Sequence, residues 1–165
     1  MFDQGKRSLS ELFDTPVQTN KNSYFQVPNY QRKYQWEKDK QVAKLIDDVF
    51  ENIGRPYFMG PLILCGGPIQ EPSTSNNSVQ IIDGQQRLAT FSLFIRSLVD
   101  YLQKRINSAA FPQNLIPDAY ELRTNLKNKI VKGILKKNEV VIHLAKRIDN
   151  FFTNEILLSE EEVKI

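Results

Sequence analysis

Val79-Gln80-Ile81-Ile82-Asp83-Gly84-Gln85-Gln86-Arg87-Leu88 is the stretch on which the reading of this chain turns. A short apolar run is followed by a tight polar turn and then by a long segment of apolar periodicity. That order predicts strand, turn, helix. A helix start presents unpaired backbone N–H groups and the positive end of the helix dipole, a natural seat for an anion. Gly84 lets backbone come close to a ligand, and Arg87 adds a fixed cation on the first turn. Asp83 is the expected N-cap, with Gln86 three residues later. The turn is therefore the expected site, and phosphate its expected ligand.

Outward from the turn, the helix runs from Gln85 to about Arg105. Leu88, Phe91, Phe94, Ile95, Leu98, Val99 and Leu102 cover a broad apolar face, which predicts a central position. Upstream, Val42, Leu45, Ile46, Val49, Phe50 and Ile53 recur at helical spacing between Glu37 and Ile53; Gly54 and Pro56 end that helix. Ser8-Leu9-Ser10-Glu11 has the form of a capping box before a short helix. Tyr24-Phe25-Gln26-Val27 reads as a strand stopped by Pro28. Tyr57 to Cys65 is strand-like, and Pro61 makes it an edge strand or a bulged one. Gly66 to Ser78 and Asn107 to Pro117 read as loops. Ile130-Val131 and Val140-Val141-Ile142 could pair around a Lys136-Lys137-Asn138 turn. A helix over Lys146 to Leu158 would end in the solvated Glu160-Glu161-Glu162 run.

Composition bounds the function. The chain has 165 residues, 41% hydrophobic and 25% charged, with net charge +3 and a pI near 8.9. This is an ordinary globular balance, compatible with a nucleotide or DNA partner without pointing to either. One cysteine, Cys65, leaves no internal disulfide and fits a reducing cytoplasm; a buried strand position is expected for it. Met1-Phe2-Asp3-Gln4 lacks a secretory pattern, and no apolar run reaches membrane-spanning length. The single histidine, His143, excludes sites that need two and is expected to be structural.

Two blocks together resemble a known family. Val27-Pro28-Asn29-Tyr30-Gln31-Arg32-Lys33-Tyr34-Gln35-Trp36 and Ile82-Asp83-Gly84-Gln85-Gln86-Arg87-Leu88 resemble the paired elements of the N-terminal domain of GmrSD-type restriction endonucleases, relatives of ParB and sulfiredoxin. Tyr57-Phe58-Met59-Gly60 looks like that family's strand before the loop, and His143 to Phe152 loosely resembles a later segment. The resemblance implies an α+β, ParB/sulfiredoxin-like fold: a small mixed β-sheet flanked by helices. Residues 1–110 would form the nucleotide-binding core and 111–165 a C-terminal extension of the same domain. It implies binding of a nucleoside triphosphate with Mg²⁺, with hydrolysis in several members, in modification-dependent restriction and phage defence. DNA and an HNH-type nuclease module or subunit are the implied partners, and homo-oligomer formation is left open. One histidine does not furnish HNH chemistry, so DNA cleavage by this chain alone is not expected. Sulfiredoxin chemistry needs a cysteine in the turn, and Cys65 lies outside it.

The expected catalytic set is Asp83, Gln85, Gln86 and Arg87. The expected nucleotide-binding set is Gln31, Arg32, Tyr34, Gly84, Gln85, Gln86, Arg87 and Thr90. Ala89 stands where the family usually has Thr, removing one hydroxyl near the helix start. Plainer roles compete with these. Asp83 could be only a cap, and Tyr34 and Trp36 more often pack than stack on a base. Asp47 and Asp48 could be surface carboxylates rather than metal ligands. Lys127, Lys129, Lys132, Lys136 and Lys137 could be a solvated face rather than a DNA contact. Two rival functions remain: a DNA-backbone-binding module without nucleotide chemistry, and an inactive scaffold.

Overall fold

The computed structural model describes residues 5–14, 24–65, 78–134, 137–140, 142–144, 149 and 151–158. The expected loop at 66–77, the turn residues 135–136, Lys146 and the Glu160–Glu162 run lie outside the described residues, as do the side chains of Lys132 and Lys137.

In chain order the elements are α1 (Leu9–Asp14), β1 (Tyr24–Gln26), a π-turn (Lys38–Val42) running into α2 (Ala43–Glu51), β2 (Ile63–Cys65), β3 (Ser78–Asp83) and α3 (Gln85–Ile106). A 3₁₀ turn (Gln113–Leu115) then leads into α4 (Ile116–Ile130), followed by β4 (Val131–Ile134), β5 (Lys137–Val140), β6 (Ile142–His143) and a terminal π-helix (Phe151–Leu157). The main sheet has the order β2-β3-β1-β6. β1 pairs in parallel with both β3 and β6, and β2 pairs antiparallel with β3. The fold is thus α+β, with a small mixed sheet and helices packed about it.

Alternation along the strands places the core. Phe25, Val79, Ile81 and Ile142 are buried, and they pack against Leu88, Ala89, Phe91, Ile95 and Val99 of α3. The broad apolar face of α3 is therefore central, as its sequence predicts. Leu45 anchors α2 to the same core, and Phe50 meets Phe94 edge-to-face at 6.4 Å. Strand β6, from the region after residue 110, supplies an edge of the main sheet.

Three expectations are corrected. Residues 116–130, read only in part as a loop, form α4. Its buried positions, Ala119 and Ile130, are too sparse to make a sequence stripe, and Pro117 sits at the helix start where its missing N–H does no harm. Cys65 lies on a strand but is exposed, as are Ile63 and Leu64 of the same strand, which among the described residues pairs only with β3. The extended strand over Tyr57–Cys65 shrinks to Ile63–Cys65. The predicted hairpin exists as β4–β5, with Val131 opposite Val140, while Ile130 ends α4 and Ile142 joins the main sheet.

The capping box forms as its sequence predicts. Ser8 N and Ser8 Oγ both donate to Glu11 Oε2, at 2.6 and 2.9 Å, and Glu11 N donates to Ser8 Oγ at 3.1 Å. These bonds, the Ser8 backbone N–H first, hold the Glu11 carboxyl below its ordinary pKa. A lowered folded-state pKa gives stability that is present above the unfolded value and lost as pH falls through the folded one. In a carboxyl NMR titration, Glu11 should titrate below the ordinary glutamate value, and amide protection of α1 should fade through that same midpoint. Ser8→Ala should return the midpoint to the ordinary range; an unchanged midpoint would mean the box does not form.

Candidate functional site

The site begins with how α3 starts. Gly84 is the N-cap residue, at φ 93°, the left-handed conformation that glycine adopts without strain. A Cβ there would stand 2.6 Å from Leu62 Cδ1. Asp83 is the last residue of β3 and makes no side-chain cap bond, which corrects the expected capping role. Its carboxylate instead lies 3.7 Å from the Arg87 guanidinium.

The glutamines of the turn reach across to the segment 28–36, which joins β1 to the π-turn and has no regular backbone pairing of its own. Gln86 Nε2 donates to Lys33 O at 3.1 Å, and Gln86 Oε1 accepts from Gln35 N at 2.8 Å. Its side-chain amide therefore pairs with the segment as a neighbouring strand's peptide would. Gln85 Nε2 donates to Arg32 O at 3.2 Å, and Gln31 Nε2 returns a bond to Ile82 O at 2.9 Å. Tyr34 Oη lies 2.8 Å from Thr90 Oγ1, whose own proton goes to Gln86 O at 2.7 Å, so the phenol is the donor. The two sequence blocks are thus hydrogen-bonded to each other. Tyr34 and Trp36 also pack against the core, as the plainer reading of them predicts.

Arg87 faces elsewhere. On a helix, residues 85, 86 and 89 share one side and residue 87 points away from it. Arg87 Nη1 donates to Met59 O and Nη2 to Pro61 O, each at 2.7 Å. Gly60, at φ 95°, leaves the guanidinium its room: a Cβ on it would collide with Arg87 Nη1. Arg87 therefore clamps the 59–61 turn against the start of α3.

Between the two blocks lies a shallow depression lined by Val27, Arg32, Tyr34, Gln85, Gln86, Ala89 and Leu144. It is deep enough for about one water molecule or one ligand oxygen. Of the expected residues, Arg32, Tyr34, Gln85 and Gln86 meet here. Gln31, Asp83, Gly84, Arg87 and Thr90 do not line it; Thr90 is buried with its hydroxyl engaged on both sides. Arg32 is exposed at the rim, and among the described residues its guanidinium has no hydrogen-bond or ion-pair partner. Val27, Ala89 and Leu144 line it without having been in the expected sets, Ala89 having been noted only as a departure from the family pattern. The apolar character of Val27 and Leu144 gives no signal; only the β1–β6 pairing brings them to the depression.

Of the other candidates, Asp48 accepts the Tyr57 phenol at 2.9 Å. That bond, then burial, then the carboxylate's charge raise the Tyr57 pKa above its ordinary value. Lys129 Nζ donates to Ser10 Oγ at 2.9 Å, tying α4 to α1. No group of three His, Cys, Asp or Glu among the described residues could hold a metal ion, and no helix among them is long and apolar enough to cross a membrane.

Residues 9–165 match the family model described as GmrSD restriction endonuclease, N-terminal domain. No curated protein matches the chain.

The geometry makes Gln86 a structural residue of the first order. Gln86→Leu removes a donor and an acceptor together and strands Lys33 O and Gln35 N. Chemical denaturation should show a loss of about 1–3 kcal/mol. A loss below about 0.5 kcal/mol, the scatter of an ordinary surface substitution, would show that the pairing does not hold the segment.

Proposed function

The chain belongs to the N-terminal domain family of GmrSD restriction endonucleases, and on that basis we propose that it is the nucleotide-binding regulatory domain of a DNA restriction system active in phage defence. A nucleoside triphosphate with Mg²⁺ is the proposed ligand. DNA, in modified form, and an HNH-type nuclease module or subunit are the proposed partners, and the cytoplasm is the proposed compartment. The observation that carries this reading is Arg32: an unpartnered guanidinium at the rim of a depression whose walls both sequence blocks hold rigid. A planar guanidinium with free N–H donors is well suited to phosphate oxygens.

The shallowness of the depression supports a ligand that lies over it, with one group inserted and the rest on the surface. In that pose Arg32 holds a phosphate, Gln85 offers its amide to the inserted group, and Tyr34 and Gln86 keep the walls in place. Gln31, Gly84 and Thr90 act through the scaffold. Any Mg²⁺ we assign to one carboxylate together with the phosphates and waters, its usual mode of binding. Hydrolysis is a further step of the same proposal. It would draw on Arg32 for the charge developing on the transferred group and on Gln85 for placing water. Asp83 and Arg87 would contribute by fixing the turn rather than by contact.

Calorimetry with each of the four nucleoside triphosphates and Mg²⁺ tests this reading. Wild type should bind at least one. Arg32→Ala should weaken that binding by about tenfold or more, the scale of one charge-assisted contact, at unchanged melting temperature. Arg87→Ala should lower the melting temperature through the freed 59–61 turn. If wild type binds none of the four, or if Arg32→Ala binds as wild type does, the proposal fails. A steep fall of DNA affinity with salt in place of nucleotide binding would select the backbone-binding alternative.

A further inference from the structure

We propose that Asp149 is a positioning residue that sets one wall of the Arg32 depression and links that wall to the C-terminal helix. The inference rests on the depression being the ligand site. The wall in question is Val27 and Leu144. Asp149 Oδ1 accepts the Leu144 backbone N–H at 2.8 Å, and its Oδ2 lies 2.9 Å from His143 Nδ1. His143 O in turn accepts the Val27 N–H at 2.9 Å. One carboxylate thus holds Leu144 directly and Val27 through a single intervening residue.

The same carboxylate oxygen accepts from Thr153 Oγ1 at 3.3 Å, and Thr153 belongs to the Phe151–Leu157 helix. That helix is fixed at its far end, where Arg96 Nη1 of α3 donates to Leu157 O at 3.0 Å, and Phe152 and Leu157 are buried in the core. A shift of this helix would move Asp149, and Asp149 would move the wall. In a depression with room for about one ligand oxygen, wall position decides what enters.

His143 does not itself reach the ligand. It lies opposite Gln26 in the β1–β6 pair, and side chains alternate across a sheet. Phe25 and Ile142, and with them Val27 and Leu144, face α3; Tyr24, Gln26 and His143 face the other way. The edge-to-face contact of Tyr24 with His143, at 4.7 Å between centroids, agrees with this. An ionised Asp149 only accepts hydrogen bonds, so a neutral His143 facing it carries its proton on Nδ1.

Two variants separate positioning from simple support. In Asp149→Asn the amide oxygen can still accept from Leu144, but the amide NH₂ then faces His143 Nδ1, which must switch to the Nε2–H tautomer. In Asp149→Ala both bonds are lost. By ¹⁵N NMR, Asp149→Asn should show the switched imidazole with Val27 and Leu144 methyl resonances at wild-type positions. Asp149→Ala should displace those methyl resonances, and by calorimetry it should weaken ATP–Mg²⁺ binding about tenfold while Asp149→Asn restores it. An unswitched tautomer in Asp149→Asn, or undisplaced methyl resonances in folded Asp149→Ala, would overturn the proposal. If Asp149→Ala does not fold, the tautomer and methyl resonances of Asp149→Asn decide alone. If wild type binds no ATP–Mg²⁺, the functional reading falls for that nucleotide, while the methyl resonances still judge the wall.

Discussion

The pairing of the Gln86 side-chain amide with Lys33 O and Gln35 N is the contact from which the rest of the site follows. Residues 28–36 have no ladder of their own, yet they cross beside the first turn of a buried helix. Backbone polar groups in such a place need partners. A glutamine supplies a donor and an acceptor two bonds apart on a stem long enough to reach from the helix. Glutamate would lose the donor and set a charge against a carbonyl, and asparagine would fall short by a methylene. Gln85, Gln31 and the Tyr34–Thr90 pair repeat the same logic at neighbouring points. The irregular segment and the helix start behave as one hydrogen-bonded body.

That bonding divides the charges of the turn. Helical geometry sends Arg87 to the side opposite the glutamines, where two carbonyls and two left-handed glycines receive it. It closes one turn against another through two of its five N–H donors. Arg32 has the reverse character. Its carbonyl is held by Gln85 while its guanidinium stands at the rim. A fixed backbone with a free head suits the phosphate contact proposed for Arg32, because the ordering of the backbone is complete before a ligand arrives.

Local patterns in the sequence were legible wherever the partners are near in the chain. The Ser8–Glu11 box and the broad face of α3 span a few turns, and both are present; the stripe from Val42 to Ile53 is present in part, as α2 over Ala43–Glu51 with Leu45 buried and with Phe50 and Ile53 exposed. Strand β3 and the hairpin strands were readable for the same reason. What was not legible is set by distant partners. Asp83 looks like a cap in isolation, but Gly84 takes the cap position and Arg87 takes the carboxylate. Gln86 looks like the far end of a capping box, yet its bonds are with residues about fifty positions upstream. Cys65 reads as a core strand residue because its sequence does not disclose that β2 is exposed along its length. Helix α4 buries too few residues to announce itself.

The depression is assembled from three parts of the chain: residues 27–34, residues 85–89 and Leu144. The first two are joined by the side-chain bonds of the paired blocks. The third arrives only because β6 adds in parallel to β1, a pairing more than a hundred residues apart in sequence. Parallel pairing at that separation leaves no local trace in the sequence. Asp149 with Thr153 ties Leu144 to the Phe151–Leu157 helix. The glutamines hold the 31–35 side of the depression, while the Val27–Leu144 side is held by core packing, the β1–β6 pairing and the Asp149 carboxylate. On the proposal for Asp149, conformational response to a ligand would be concentrated on the Val27–Leu144 side, because movement on the 31–35 side breaks several part-buried hydrogen bonds at once.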